Sequence, residues 1–167
     1  MKSLFVCVAL ALPFAVSAAD STPDSSFYKK AAEGGIAEVE LGKLAQEKSS
    51  NTSVKEFGRM MVSDHTAANE KLKLIAASKD VKLPASPSIG QTATKMKLQA
   101  LTGDAFDKSY IKGMIKDHEE DIKEFQKEAT SGQDPDAKAY AAATLPTLQV
   151  HLKKIRQIAA NENVKAD

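Results

Sequence analysis

From residue 52 to about 79 the chain returns an apolar side chain every three or four positions with no proline, a spacing that only an α-helix turns into one face. Val54, Phe57, Gly58, Met61, His65, Ala68, Leu72 and Ile75 fall on one side of that helix. Lys55, Arg59, Thr66, Glu70 and Lys73 fall on the other. A helix of this length cannot bury such a stripe by itself and needs partners of similar length.

Three further stretches supply them. Residues 26–49 carry Phe27, Ala31, Gly34, Gly35, Leu41, Gly42 and Ala45 on one face. Residues 104–130 turn Phe106, Tyr110, Ile111, Met114, Ile115, Ile122 and Phe125 inward under a lysine-rich outer face. From 135 to about 160 the inward set is Ala137, Tyr140, Ala141, Leu145, Leu148, Leu152, Ile155 and Ile158, with Pro146 expected to kink the helix. Alternating β-branched runs and hairpin dipeptides are missing from the sequence, so the fold class is all-α. Each glycine in a helix costs about 1 kcal/mol against alanine, and those on the first apolar face predict a close helix contact that offsets it.

The connections fix the topology. Ser50-Asn51-Thr52 is a tight turn, and Ser131-Gly132-Gln133-Asp134-Pro135 stops one helix and restarts another, so each flanking pair lies antiparallel. Residues 80–103, with Pro84, Pro87, Gly90 and Gly103, are too many for a hairpin loop. They suffice to travel back along a helix roughly 40 Å long, with room for a short helix at about 92–101. The expected architecture is a ferritin-like four-helix bundle: two antiparallel hairpins joined by a long crossover.

Residues 1–19 read differently. Lys2 is followed by an apolar run over 4–16, broken only by Pro13, and then by Val16-Ser17-Ala18, the pattern of a signal peptide cleaved near Ala18 or Ala19. The chain therefore divides into a signal at 1–19, a linker at 20–25, the bundle at 26–161 and a frayed tail at 162–167, and it is expected to be periplasmic or secreted. No later segment approaches the roughly 20 apolar residues of a membrane span. Cys7, the one cysteine, lies within the signal, which leaves the exported chain no disulfide and no thiolate ligand. Removing Lys2 takes the formal balance from 23 − 22 to 22 − 22, which excludes the basic footprint of a nucleic-acid binder.

The inward-facing polar residues carry the functional reading. All three histidines, His65, His118 and His151, fall within apolar arcs. The first helix adds Glu38 to its own apolar face, while Glu33, Glu40 and Glu47 lie on the wet side. Glu38 precedes Asn51 by 51 − 38 = 13 residues and His65 follows it by 65 − 51 = 14. His118 precedes Asp134 by 16 and His151 follows it by 17. Each pair should thus meet across its hairpin, and all four should share one level of the bundle to within about 5 Å. Three imidazoles and a carboxylate suit one zinc, iron, copper or manganese ion better than calcium or magnesium. Asp121, Asp117, Tyr110 and Asp64 are candidates to support that layer from behind, with Asn69 on the edge of the seam. The competing interpretation is structural: Glu38 and His65 form a buried ion pair that sets helix register.

The combination Ala32-Glu33-Gly34-Gly35, Glu38-Val-Glu-Leu-Gly42, Val54-Lys-Glu-Phe57, Met61-Val-Ser-Asp-His65, Ala68-Asn69, Phe106-Asp107, Tyr110, His118, Leu145-Pro146 and His151-Leu152 resembles the exported bacterial domain-of-unknown-function family four-one-four-two. The resemblance covers nearly all of the chain after the signal. It implies a ferritin-like bundle in the cell envelope and no settled activity, so it assigns no catalytic residue. Di-iron bundles place a glutamate three positions before each ligating histidine. Here Val62, Ile115 and Leu148 stand there, and a di-iron oxidase is not expected. Neither a nucleophile-elbow motif nor a His-Glu-x-x-His motif points to an enzyme. Two functions remain: an exported bundle holding one transition metal in its polar layer, or a non-catalytic envelope or stress-related interaction module that binds a protein partner through its outer faces.

Overall fold

A computed structural model of the chain describes residues 24–165. The expected signal and most of the expected linker lie outside them. The elements are α1 (Ser25–Lys48), α2 (Thr52–Ala77), α3 (Ile89–Gln99), α4 (Gly103–Ser131) and α5 (Pro135–Asn161), and no strand occurs among the described residues. Local chemistry sets the starts. The Asn51 side chain accepts from the Ser53 and Val54 amides at the head of α2, and Asp134 accepts from Asp136 at the head of α5, which opens on Pro135. Ser88 and Gln91 form a capping box, so α3 begins three residues earlier than the expected 92. α5 continues through Pro146 as one helix.

α1 pairs with α2 and α4 with α5 as the two expected hairpins. α1 also runs antiparallel to α4, since Phe27 meets Phe125 near one end and Glu38 meets His118 farther along. α2 likewise opposes α5: His151 meets Asp64, Tyr140 meets Ala68 and Asp134 meets Lys79. α2 and α4 are therefore parallel and lie on the diagonal of the bundle, and residues 78–102 form the crossover that carries the chain back between them. Its helix, α3, lies across α1 and α4.

The core is split. One apolar half holds Leu41, Phe57, Met61, Phe106, Tyr110, Met114 and Ile155; the other holds Phe27, Tyr28, Leu72, Phe125, Tyr140 and Leu148. On every long helix one polar residue falls between the two halves: Glu38 on α1, His65 on α2, His118 on α4 and His151 on α5. They form the waist of the bundle.

The close contact between α1 and α2 is at Gly42 and Gly58. A methyl group on either would stand 2.6 Å from the other's carbonyl oxygen. Gly35 makes room for the Asn69 side chain, whereas Gly34 has nothing within 3.8 Å of where its methyl would be, the first atoms standing at 3.9 Å. Gly58→Ala is expected to force the hairpin apart and cost about 1–3 kcal/mol, read as a lower urea midpoint, because the obstacle is backbone that cannot rotate away.

Asp24 does not cap α1 with its side chain; its carboxylate accepts from the Gln133 and Asp134 amides at 2.7 Å and ties the start of α1 to the α4–α5 turn. Beyond Glu162 the described part of the tail turns back. Asn163 takes a left-handed φ of 53°, the Val164 amide donates to Ala159 O at 2.8 Å, and the Val164 side chain is buried in the core.

Candidate metal centre

The waist brings Glu38, His65, His118 and His151 together, nearly or wholly buried. The ring centroids of the three imidazoles are 5.3–5.9 Å apart, and one nitrogen from each lies within 4.8 Å of the others. Phe57 holds the layer from one side, with its ring 6.2 Å from His118 and 6.4 Å from His151.

The partners of these rings fix their tautomers, because each is an oxygen that can only accept. His65 Nδ1–H donates to Glu38 Oε2 at 2.9 Å. His118 Nδ1–H donates to the Met114 carbonyl at 2.9 Å, with Glu38 Oε1 at 3.4 Å from the same nitrogen. His151 Nε2–H donates to Asp64 Oδ2 at 2.9 Å. The remaining nitrogens are His65 Nε2, which is buried without a hydrogen-bond partner, and His118 Nε2 and His151 Nδ1, which face each other at 3.3 Å. Two lone pairs at that distance repel unless a proton or a metal cation lies between them.

The electrostatics separate the rings. Burial alone raises the pKa of Glu38, but the His65 and His118 rings outweigh it and bring the carboxyl down to about 2. Burial pulls His65 down, and the Glu38 charge and hydrogen bond more than reverse it, so its pKa is raised. Burial dominates at His118, whose pKa is lowered, and at His151, which falls to about 4 against the Asp64 hydrogen bond.

The sign of each linkage follows. His151 resists the proton that the unfolded chain accepts, so it costs stability as pH falls from about 6.5 to about 4. Asp117, raised to about 6 by burial and the Glu38 charge, works oppositely: its burden is relieved as pH falls through that value. Net stability blurs the two, so resolved NMR titrations are the measurement. The His151 ring is expected to stay neutral at pH 5.5 while the Asp117 carboxyl takes up its proton near 6. A His151 midpoint near 6.5 would contradict this environment.

The other sequence candidates divide. Asp64 reaches the layer directly through His151. Tyr110 is buried beside it, its hydroxyl unpartnered and its pKa pushed up by burial and then by the Glu38 charge. Asp117 and Asp121 do not touch a histidine; with Glu38 they line a cavity on the other side of α1. Burial, Glu38 and Asp117 together raise the Asp121 carboxyl well above its ordinary range. Asn69 borders a small cavity beside His65. The Met114 carbonyl and the Phe57 ring were not visible as parts of the layer. A backbone acceptor four residues before a histidine leaves no mark of its own in a sequence, and Phe57 reads simply as core.

An all-helical bundle with three imidazoles and a carboxylate across its waist is the class that fold and geometry define. The sequence matches the family described as Domain of unknown function (DUF4142) over residues 9–158, and the chain belongs to that family. No curated protein matches it. Among solved structures it is similar to a DUF305 protein of Streptomyces coelicolor, at 12% identity and a TM-score of 0.74 over 86% of this chain and 94% of that one. It is also similar to CopM in the Cu(II)-bound form, at 17% identity and a TM-score of 0.70 over 83% and 96%, and in the apo form, at 16% and 0.68. At these identities the likeness establishes a common fold. No helix among the described residues is long and apolar enough to cross a membrane.

Proposed function

We propose that this chain is an exported bundle that holds one divalent transition-metal ion on His65, His118 and His151. The observation that carries this reading is the hydrogen-bond pattern: each outer ring nitrogen is tied to an acceptor, His118 Nε2 and His151 Nδ1 are left to face each other, and His65 Nε2 is left without a partner. Fixing the outer nitrogen is how proteins orient metal-ligating histidines. Two imidazole nitrogens each roughly 2.0–2.1 Å from a tetrahedral ion stand about 3.3 Å apart, and the His118–His151 separation is 3.3 Å.

Glu38 was a candidate ligand in the sequence. In this reading it stands behind His65 and supplies the negative charge that offsets the cation. A donor set of nitrogens favours Cu(II) or Zn(II) over Cu(I), which prefers sulfur, and Cu(II) stands first in the affinity order. CopM, a protein of the same fold, is solved in Cu(II)-bound, Cu(I)-bound and Ag-bound forms, which supports copper as the metal and leaves the choice of Cu(II) to the nitrogen donors.

Titration of the untagged chain with Cu(II) against a competing chelator tests this, with about one equivalent bound expected. Binding that survives replacement of all three histidines by alanine would overturn it. For export, the expected result is an envelope protein whose N-terminus, read by sequencing, begins near Ala19. A chain that retains Met1 would exclude cleavage.

The interaction-module alternative has one observation in its favour, an open groove of about 570 Å³ between α2 and α5 with Leu74 exposed on its wall. In that alternative the polar layer is a purely structural core, which accounts for the Glu38–His65 pair but not for His118 Nε2 and His151 Nδ1 facing each other, and the metal reading is preferred for that reason.

A further inference from the structure

Between α1, α3 and α4 lies a cavity of about 140 Å³ whose charged lining is all carboxylate: Glu38, Asp117, Glu120 and Asp121. α3 contributes only Gln91 and Thr94 to it. Lys95 on that helix is held away by Glu40 at 2.9 Å, and Lys116 approaches Glu120 at 3.9 Å. Carboxylates alone would be unremarked surface acidity. What sets this cavity apart is Glu38, which is 3% exposed and has one oxygen, Oε1, that accepts no hydrogen bond, since the His118 Nδ1–H at 3.4 Å is given to the Met114 carbonyl. Its other oxygen holds His65. Glu38, Gly34 and Asp121 also bound the small cavity that reaches His65, so they form the partition between the acidic space and the imidazoles.

Gly34 is the second sign. Gly35 and Gly42 are required by a side chain and a backbone that occupy the place of a methyl group; at Gly34 the first atoms, on Asp121 and Gln91, are 3.9 Å away. Helix packing does not use this glycine, and a glycine in a helix is costly without a use. Its missing side chain keeps the cavity open above Glu38.

We infer that this cavity is the way in for the metal: a divalent cation gathered by Asp117, Glu120 and Asp121 meets the Glu38 oxygen that accepts no hydrogen bond and is handed to the imidazoles behind it. The inference rests on the tris-imidazole reading and specifies its route. A cleft lined by one sign of charge with low-dielectric walls concentrates counter-ions and speeds their capture.

The test is stopped-flow capture of Cu(II) by the untagged full chain, followed by absorbance at several salt concentrations. The wild-type rate is expected to fall as salt rises. The double variant Asp117→Asn/Asp121→Asn keeps the volume and loses the charge; its association rate is expected to drop about tenfold and to lose most of its salt dependence. Gly34→Leu keeps the charge and fills the space, and should slow association and dissociation together. If that variant does not fold, the double variant still decides. Capture at the wild-type rate in the double variant overturns the route while leaving the histidine site standing. Absence of Cu(II) uptake by the wild type overturns both. Uptake that survives His118→Ala but is lost in the double variant makes the acidic cavity itself the binding site, and overturns the handover.

Discussion

Saturating Cu(II) is expected to raise the melting temperature of this chain by about 10 °C, and His118→Ala to abolish the rise. A ligand that binds only the folded state at about a thousand times its dissociation constant stabilises by about 4 kcal/mol. For a chain of this size each kcal/mol is worth roughly 2–4 °C. His118 is the informative position because it is fully buried and its Nε2 faces His151. Its removal also leaves a void and lowers the metal-free melting temperature. The quantity to compare is therefore the shift on adding Cu(II), measured for each protein against its own metal-free state. An equal shift in both would place the metal elsewhere.

The second large effect concerns the apo fold. Glu38→Leu removes the acceptor of the buried His65 Nδ1–H and with it the charge that raises the ring's pKa, leaving a buried polar group without its partner. Breaking a buried pair from one side costs about 3–5 kcal/mol, while replacing both partners with apolar residues costs far less. Urea denaturation is expected to show Glu38→Leu as strongly destabilising and Glu38→Leu/His65→Leu as milder than the sum of its single variants. Additive single effects would mean that the two side chains do not interact in solution, and would remove the support that orients His65.

Much of this was legible in the sequence because it depends on spacing alone. Helical periodicity gives the four long elements, the short turns pair them, and the length of residues 80–103 requires a crossover. The placement of Glu38, His65, His118 and His151 at one level follows from counting residues away from the two turns, and it needs only the rise per residue of a helix. Orientation is another matter. Residue counts put Glu38 at the right height, but only side-chain geometry shows that its oxygen meets the outer nitrogen of His65. The Met114 carbonyl was hidden because every residue carries one. The start of α3 was missed although Ser88-Ile-Gly-Gln91 spells a capping box, since the prolines before it drew the boundary inward. Val164 is a lone apolar residue in a polar tail, and its burial depends on a left-handed Asn163 that the sequence permits without requiring. Asp24 reads as a helix cap by residue type. Its true partners lie 109 and 110 residues away, a distance no local pattern encodes.

The most direct measurement is X-ray absorption at the copper edge on untagged protein loaded with one equivalent of Cu(II), paired with the same spectrum from His65→Ala. Three imidazole scatterers around each ion, falling to two in the variant, is the result expected if His65, His118 and His151 together hold the metal. A wild-type spectrum with one imidazole or none, or one that His65→Ala leaves unchanged, would contradict it.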